Sequence, residues 1–283
     1  MRARDGRGSR RGLDMCSNQR IRWVFGALVM FGLQALAGAS VMLSGTRVVL
    51  NEKDRETSLP MKNTGTSPYV VQAWVDAGEG NIKTPLIVTP PLSRLDPGKE
   101  NLLRIMRVGG ELPKDRESAF WLNVKEIPQK PNQENVLQVA IRNRLKLFYR
   151  PSNLPGSAAE ARGLLKWSVS EGSQGQGAVL KVGNASAFHV TLLKLTVNKG
   201  QGQDKKDQEE LDAGMVPPFG ELSFPIRTLK NPQAIQINFT TINDYGSETP
   251  EEFVRVPEGA QPVALTPELV PKAEAAATNR TQR

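Results

Sequence analysis

Few residues of this chain are equipped for covalent chemistry. His189 is the only histidine among 283 residues and Cys16 the only cysteine. His189 sits in the alternating stretch Phe188-His189-Val190, where the ordinary reading is a strand residue pointing outward or between domains. A Ser-His-Asp site would have to use it, yet no Gly-x-Ser-x-Gly elbow is written anywhere. Only carboxylates remain as metal ligands, and no Gly-x4-Gly-Lys-Ser/Thr loop offers nucleotide hydrolysis. No enzymatic activity, metal or cofactor is therefore expected. The chemistry on offer is non-covalent. Residues 135–149 alternate as one long strand, with Leu137, Val139 and Ile141 at i, i+2 and i+4 on one face and Gln138, Arg142, Arg144 and Lys146 between or beyond them. A usual strand is about 5–6 residues long. Periodicity alone fits an ordinary core strand; the sharper reading is an edge that pairs with another polypeptide and fills its groove.

Charge and cysteine narrow the setting. Residues 1–22 hold seven of the 37 basic and two of the 29 acidic residues, which leaves 30 basic and 27 acidic, a formal charge of +3 against +8 for the whole chain. The basic character belongs mostly to this leader, which argues against a nucleic-acid partner. An apolar run from Trp23 to Leu33 follows, then Ala37-Gly38-Ala39 as an A-x-A cleavage site before Ser40, so residues 1–39 read as a signal peptide. The long basic stretch before Met15 reads as an over-long leader. Cys16 leaves with this segment, so each exported domain must be held by its own apolar core.

The elements that would position the long strand are themselves short and alternating. Val41–Asn51, Ser58–Lys62, Tyr69–Ala77, Leu86–Thr89, Asn101–Val108, Ala119–Ile127 and Asn135–Tyr149 predict seven strands of a sandwich, stopped by Pro90-Pro91 and Asp96-Pro97-Gly98. Pro151 to about Arg162 is a linker by composition. Leu164–Val169, Ala178–Val182, Phe188–Val197, Glu221–Ile226 and Ala234–Ile242 predict a second β domain, with Gly200–Glu210 as a polar loop. The expected architecture is all-β: a first domain over residues 40–155, a second over 156–257, and a Pro/Ala-rich disordered tail over 258–283.

Residues 112–128, LPKDRESAFWLNVKEIP, together with Thr46-Arg47, Gln72-Ala73-Trp74, Thr89-Pro90-Pro91, Arg94-Leu95, residues 145–151 (LKLFYRP) and residues 242–246 (INDYG), resemble the PapD-like periplasmic chaperones that assemble pili by the chaperone–usher route. The likeness runs from about Val41 to Val256. It implies two immunoglobulin-like sandwiches in a boomerang arrangement, with a client pilin that lacks its last strand completed by Asn135–Tyr149. Leu137, Val139 and Ile141 would then enter the pilin groove with Asn135 at its far end, and Arg47 and Lys146 would grip the pilin's C-terminal carboxylate. Taken alone, either cation is an ordinary surface charge. Glu117, Arg150 and Asp244 match the family's ion network between the domains. The short Pro128–Glu134 loop, with no cysteine pair, resembles the short-loop class.

The implied partners are pilin subunits, an adhesin and an outer-membrane usher, and the implied compartment is the periplasm. A free donor strand is also an exposed apolar edge, so self-association through it is expected. From the residues alone, the alternative is a secreted adhesion or carbohydrate-binding module.

Overall fold

A computed structural model describes residues 40–130, 138–172, 177–199 and 207–259. The first sandwich contains β1 (Val41–Leu43), β2 (Arg47–Asn51), β3 (Glu56–Asn63), β4 (Tyr69–Asp76), β5 (Leu86–Thr89), β6 (Leu92–Leu95), β7 (Glu100–Arg107), β8 (Ser118–Pro128) and β9 (Arg142–Arg150). One sheet runs β1-β3-β7-β5 and the other β2-β9-β8-β4-β6. Their inward faces alternate with outward ones and meet in a core that includes Leu50, Leu59, Met61, Leu103, Ile105, Leu122 and Leu147.

The second sandwich follows a short 3-10 turn, Ala161–Leu164. Its strands are β10 (Leu165–Glu171), β11 (Ala178–Asn184), β12 (Val190–Asn198), β13 (Gln208–Glu210), β14 (Met215–Val216), β15 (Glu221–Ile226), β16 (Ile235–Ile242) and β17 (Glu252–Val256). They form a β10-β11-β15 sheet and a β13-β12-β16-β17 sheet with β14 added to β12. A separate core gathers Leu180, Leu195, Ile226, Ile237 and Phe239. Ala161, inside the stretch that composition reads as a linker, is fully buried in that core.

The structure differs from the sequence reading in three respects. The strand expected over Val41–Asn51 is two strands in different sheets: β1 lies antiparallel on β3, and β2 lies parallel on β9. The chain crosses between sheets at Ser44-Gly45-Thr46, and the Ser44 amide donates to Pro60 O at 3.0 Å. The short β6, β13, β14 and β17 lie outside the strands read from sequence; β6 starts immediately after Pro90-Pro91, the pair read as a stop. Finally, the strand expected over 135–149 is β9, which starts only at Arg142. Residues 138–141 precede it outside the sheet, apart from one bond from the Glu126 amide to Ile141 O at 2.9 Å. The reason is lack of a partner. β8 reaches Pro128, which has no N–H to donate, and β2 pairs only with Lys146–Arg150.

Candidate functional site

The sheet switch after β1 brings two cations together. In the parallel β2–β9 register Arg47 is the direct neighbour of Lys146. Arg47 Nη1 donates to Ile242 O at 3.0 Å, while Arg47 Nε is buried with no partner. Lys146 Nζ donates to Thr191 Oγ1 at 3.0 Å. Among the described residues neither cation has a carboxylate within ion-pair distance. Burial, and then the charge of Arg47, hold the Lys146 amine down at about 8 against an ordinary 10.5. Burial also lowers Arg47, opposed in part by the more distant Asp244 and Glu117. Two half-buried like charges with a spare donor are chemically suited to an anion, and a carboxylate matches donors of this kind.

Beneath the pair, Glu117 joins the two sandwiches. Its side chain is 2% exposed. Oε1 accepts from Arg150 Nε and Nη2 at 2.9 and 2.8 Å. Oε2 takes the His189 backbone N–H at 2.9 Å, and His189 Nδ1 also lies 2.9 Å from it. Arg150 in turn forks onto Asp244, with Nη1 to Oδ2 at 2.8 Å and Nη2 to Oδ1 at 3.1 Å. Burial disfavours the Arg150 charge, but Asp244 and Glu117 outweigh it and push the guanidinium above its ordinary value. Asp244 is presented by a tight turn in which Asn243 Oδ1 accepts from the Tyr245 and Ser247 amides at 3.0 Å each. Gly246 closes that turn at φ 83° directly against Thr46, where a side chain would collide. Arg47, Glu117, Phe148, Arg150, His189 and Ile242 line a cleft of about 350 Å³ between the sandwiches.

Above the pair, β9 has an unused side. β8 pairs with Arg142–Tyr149, whereas β2 pairs with Lys146–Arg150 only, so Arg142–Leu145 present one free backbone edge among the described residues. That half of β9 is held from its other side. Arg142 lies 5.0 Å over the Trp74 ring and Arg144 4.2 Å over Trp121, and Arg144 Nη2 donates to the buried Asp76 at 3.0 Å. Asp76 also accepts from Asn123 at 2.7 Å. Beyond the free edge, Ile141 is half-buried and Val139 is 67% exposed. Asn135 and Leu137 lie outside the described residues.

The structure thus places Arg47 beside Lys146, and Glu117 with Arg150 and Asp244. Sequence reasoning did not assign site roles to His189, Thr191 or the Ile242 carbonyl, all from the second sandwich. Their contacts span 45 to 195 positions along the chain. A lone histidine beside a phenylalanine carries no local signal of such a partner.

Two family models match the chain: the pili and flagellar-assembly chaperone PapD N-terminal domain over residues 40–155, and the pili assembly chaperone PapD C-terminal domain over residues 160–253. The probable fimbrial chaperone LpfB of Escherichia coli O157:H7 is 40% identical over 225 residues, 78% of this chain and 90% of the relative. The crystal structure of the YadV chaperone superposes with a TM-score of 0.66 at 32% identity, covering 77% of this chain and all of that one. A chain in the structure of the Salmonella enterica SafA pilin in complex with the SafB chaperone gives a TM-score of 0.63 at 28% identity, covering 78% of this chain and 98% of that one. These matches take in both sandwiches, and they leave the adhesion or carbohydrate-binding alternative without support. The chain belongs to the PapD family of pilus-assembly chaperones.

Proposed function

We propose that this chaperone is exported by residues 1–39 and acts in the periplasm. There it caps pilin subunits by lending them a strand and delivers them, with the adhesin, to an outer-membrane usher. The observation that carries the reading is the free edge of Arg142–Leu145, which runs directly into the unpaired cations Lys146 and Arg47. A pilin strand added along that edge ends with its carboxylate on the cation pair, and the carboxylate fixes a register that would otherwise slip by two residues. Leu137, Val139 and Ile141 then fill the client's groove, with Asn135 at its far end. Fully burying three such side chains contributes roughly 5–9 kcal/mol before the costs of association. Residues 138–141 lie outside the sheet in the free chain and become strand only when the client supplies the partner. Residues 40–155 carry this site, residues 156–257 supply Thr191, His189, Ile242 and Asp244 behind it, and the role is non-enzymatic.

Val139→Asp tests this. Val139 is already mostly exposed, so the free protein should melt within about 1–2 °C of wild type, the range of an ordinary surface change. Co-purification of the cognate pilin should be lost. Unchanged pilin recovery would overturn strand donation, and a large drop in melting temperature would return Val139 to the chaperone's own core.

Binding should also depend on pH with a defined sign. A bound carboxylate favours charged Lys146, so above the free-state value of about 8 the complex must take up a proton to form. Client affinity is expected to be flat below pH 7 and to fall by up to about tenfold per unit above pH 8. Lys146→Arg should remove the dependence, since Arg does not titrate there. A wild-type affinity constant from pH 6.5 to 9.5 would sink the anchor role.

A further inference from the structure

Glu126 occupies an inward position of β8, on the same face as the core residues Leu122 and Val124, and is 2% exposed. A carboxylate in that place is costly unless paired. Among the described residues no Lys, Arg or His lies within ion-pair distance of it. Its donors come from the start of the fold: the Val41 amide at 3.3 Å, and the Ser40 nitrogen. Burial pushes the carboxyl up despite both. Ser40 is held there independently, since its carbonyl accepts from the Thr64 amide at 2.8 Å and its hydroxyl donates to the Tyr69 hydroxyl at 2.9 Å.

Ser40 is also the residue that follows Ala37-Gly38-Ala39, and the family match begins at residue 40. We propose that export processing hydrolyses the Ala39–Ser40 bond and that the α-ammonium released on Ser40 is captured by Glu126 as a buried ion pair. A membrane signal peptidase adds water across the amide. The hydroxyl joins the Ala39 carbonyl, the hydrogen joins the Ser40 nitrogen, and the proton shed by the new Ala39 carboxyl completes the ammonium. Processing thereby places a cation on a nitrogen that already lies within reach of the buried carboxylate. The Glu126 amide meanwhile holds Ile141 O at 2.9 Å, so the pair ties the new N-terminus to the point where the donated segment leaves the sheet.

The inference rests on the proposed export leader, and the test separates the two. N-terminal sequencing of protein recovered from the periplasm should give Ser40; any other N-terminus overturns the proposal, while client capture by that protein would leave the chaperone role standing. Unfolding is then measured for chains starting at Ser40 and at Gly38, each with Glu126 and with Glu126→Gln. In the Ser40 chain the substitution should raise the unfolding constant at least tenfold more than in the Gly38 chain; additive effects overturn the pair. If Glu126→Gln does not fold, acylation of the wild-type Ser40 amine is compared with that of a short peptide of residues 40–45. Acylation at least tenfold slower in the protein supports capture, and equal rates overturn it.

Discussion

Lys146→Met is expected to leave the free chaperone at least as stable as wild type while reducing pilin affinity about 30-fold or more. The two effects have opposite signs because Lys146 is unfavourable without its client. In the free protein the amine is desolvated, lies beside Arg47, and has only the Thr191 hydroxyl to donate to. Its folded-state value of about 8 lies below the ordinary 10.5, so the cost of charging is fully present below pH 8 and is relieved as pH rises towards 10.5. An apolar side chain of similar length removes that cost. In the proposed complex the same amine meets a carboxylate, and losing one partner of a desolvated charge pair costs roughly 2–5 kcal/mol, about 30-fold to several-thousand-fold in affinity. Arg47→Ala should weaken the client comparably, but it also removes the bond to Ile242 O, so a small loss of stability accompanies it. Chemical denaturation of the free protein and pilin titration check both halves. Unchanged pilin binding in both variants would refute the carboxylate anchor.

What the sequence reveals here depends on whether a residue's signal is local. The alternation of Leu145, Leu147 and Tyr149 marks the core face of β9, and all three are buried. Alternation could not mark where the sheet stops, because Val139 and Ile141 repeat the same period although residues 138–141 lie outside the sheet. The division of Val41–Asn51 was likewise hidden: both halves are extended, and only Gly45 hints that the chain changes sheets. That switch matters, since it puts Arg47 opposite Lys146 across 99 residues of sequence. Neither cation announces itself in composition, and the resemblance to a family supplied what periodicity did not. Glu126 shows the converse case. It stands where the strand period calls for an apolar residue, and an inward carboxylate is a local anomaly that becomes interpretable only once the position of Ser40 is known.

Arg150→Ala should be the most destabilising single change in the site, by about 3–5 kcal/mol. Glu117 is almost wholly buried, and Arg150 supplies both donors to Oε1. Removing the guanidinium leaves a buried carboxylate with only His189 on its other oxygen, and it releases Asp244 from the first sandwich. Each sandwich keeps a complete apolar core of its own, so the loss should fall on their coupling. The denaturation curve is expected to be single in the wild type and to separate into two steps in the variant, because two-state behaviour across two cores requires the contacts between them. Arg150→Met combined with Glu117→Gln should recover most of the lost stability, since the uncompensated charge is then gone. It should not recover the wild-type pilin affinity, because Arg47 and Lys146 would no longer be backed by a fixed second sandwich through Ile242 and Thr191. Full affinity in the double variant would show that the network serves stability alone, and a wild-type midpoint for Arg150→Ala would remove it from the stability role.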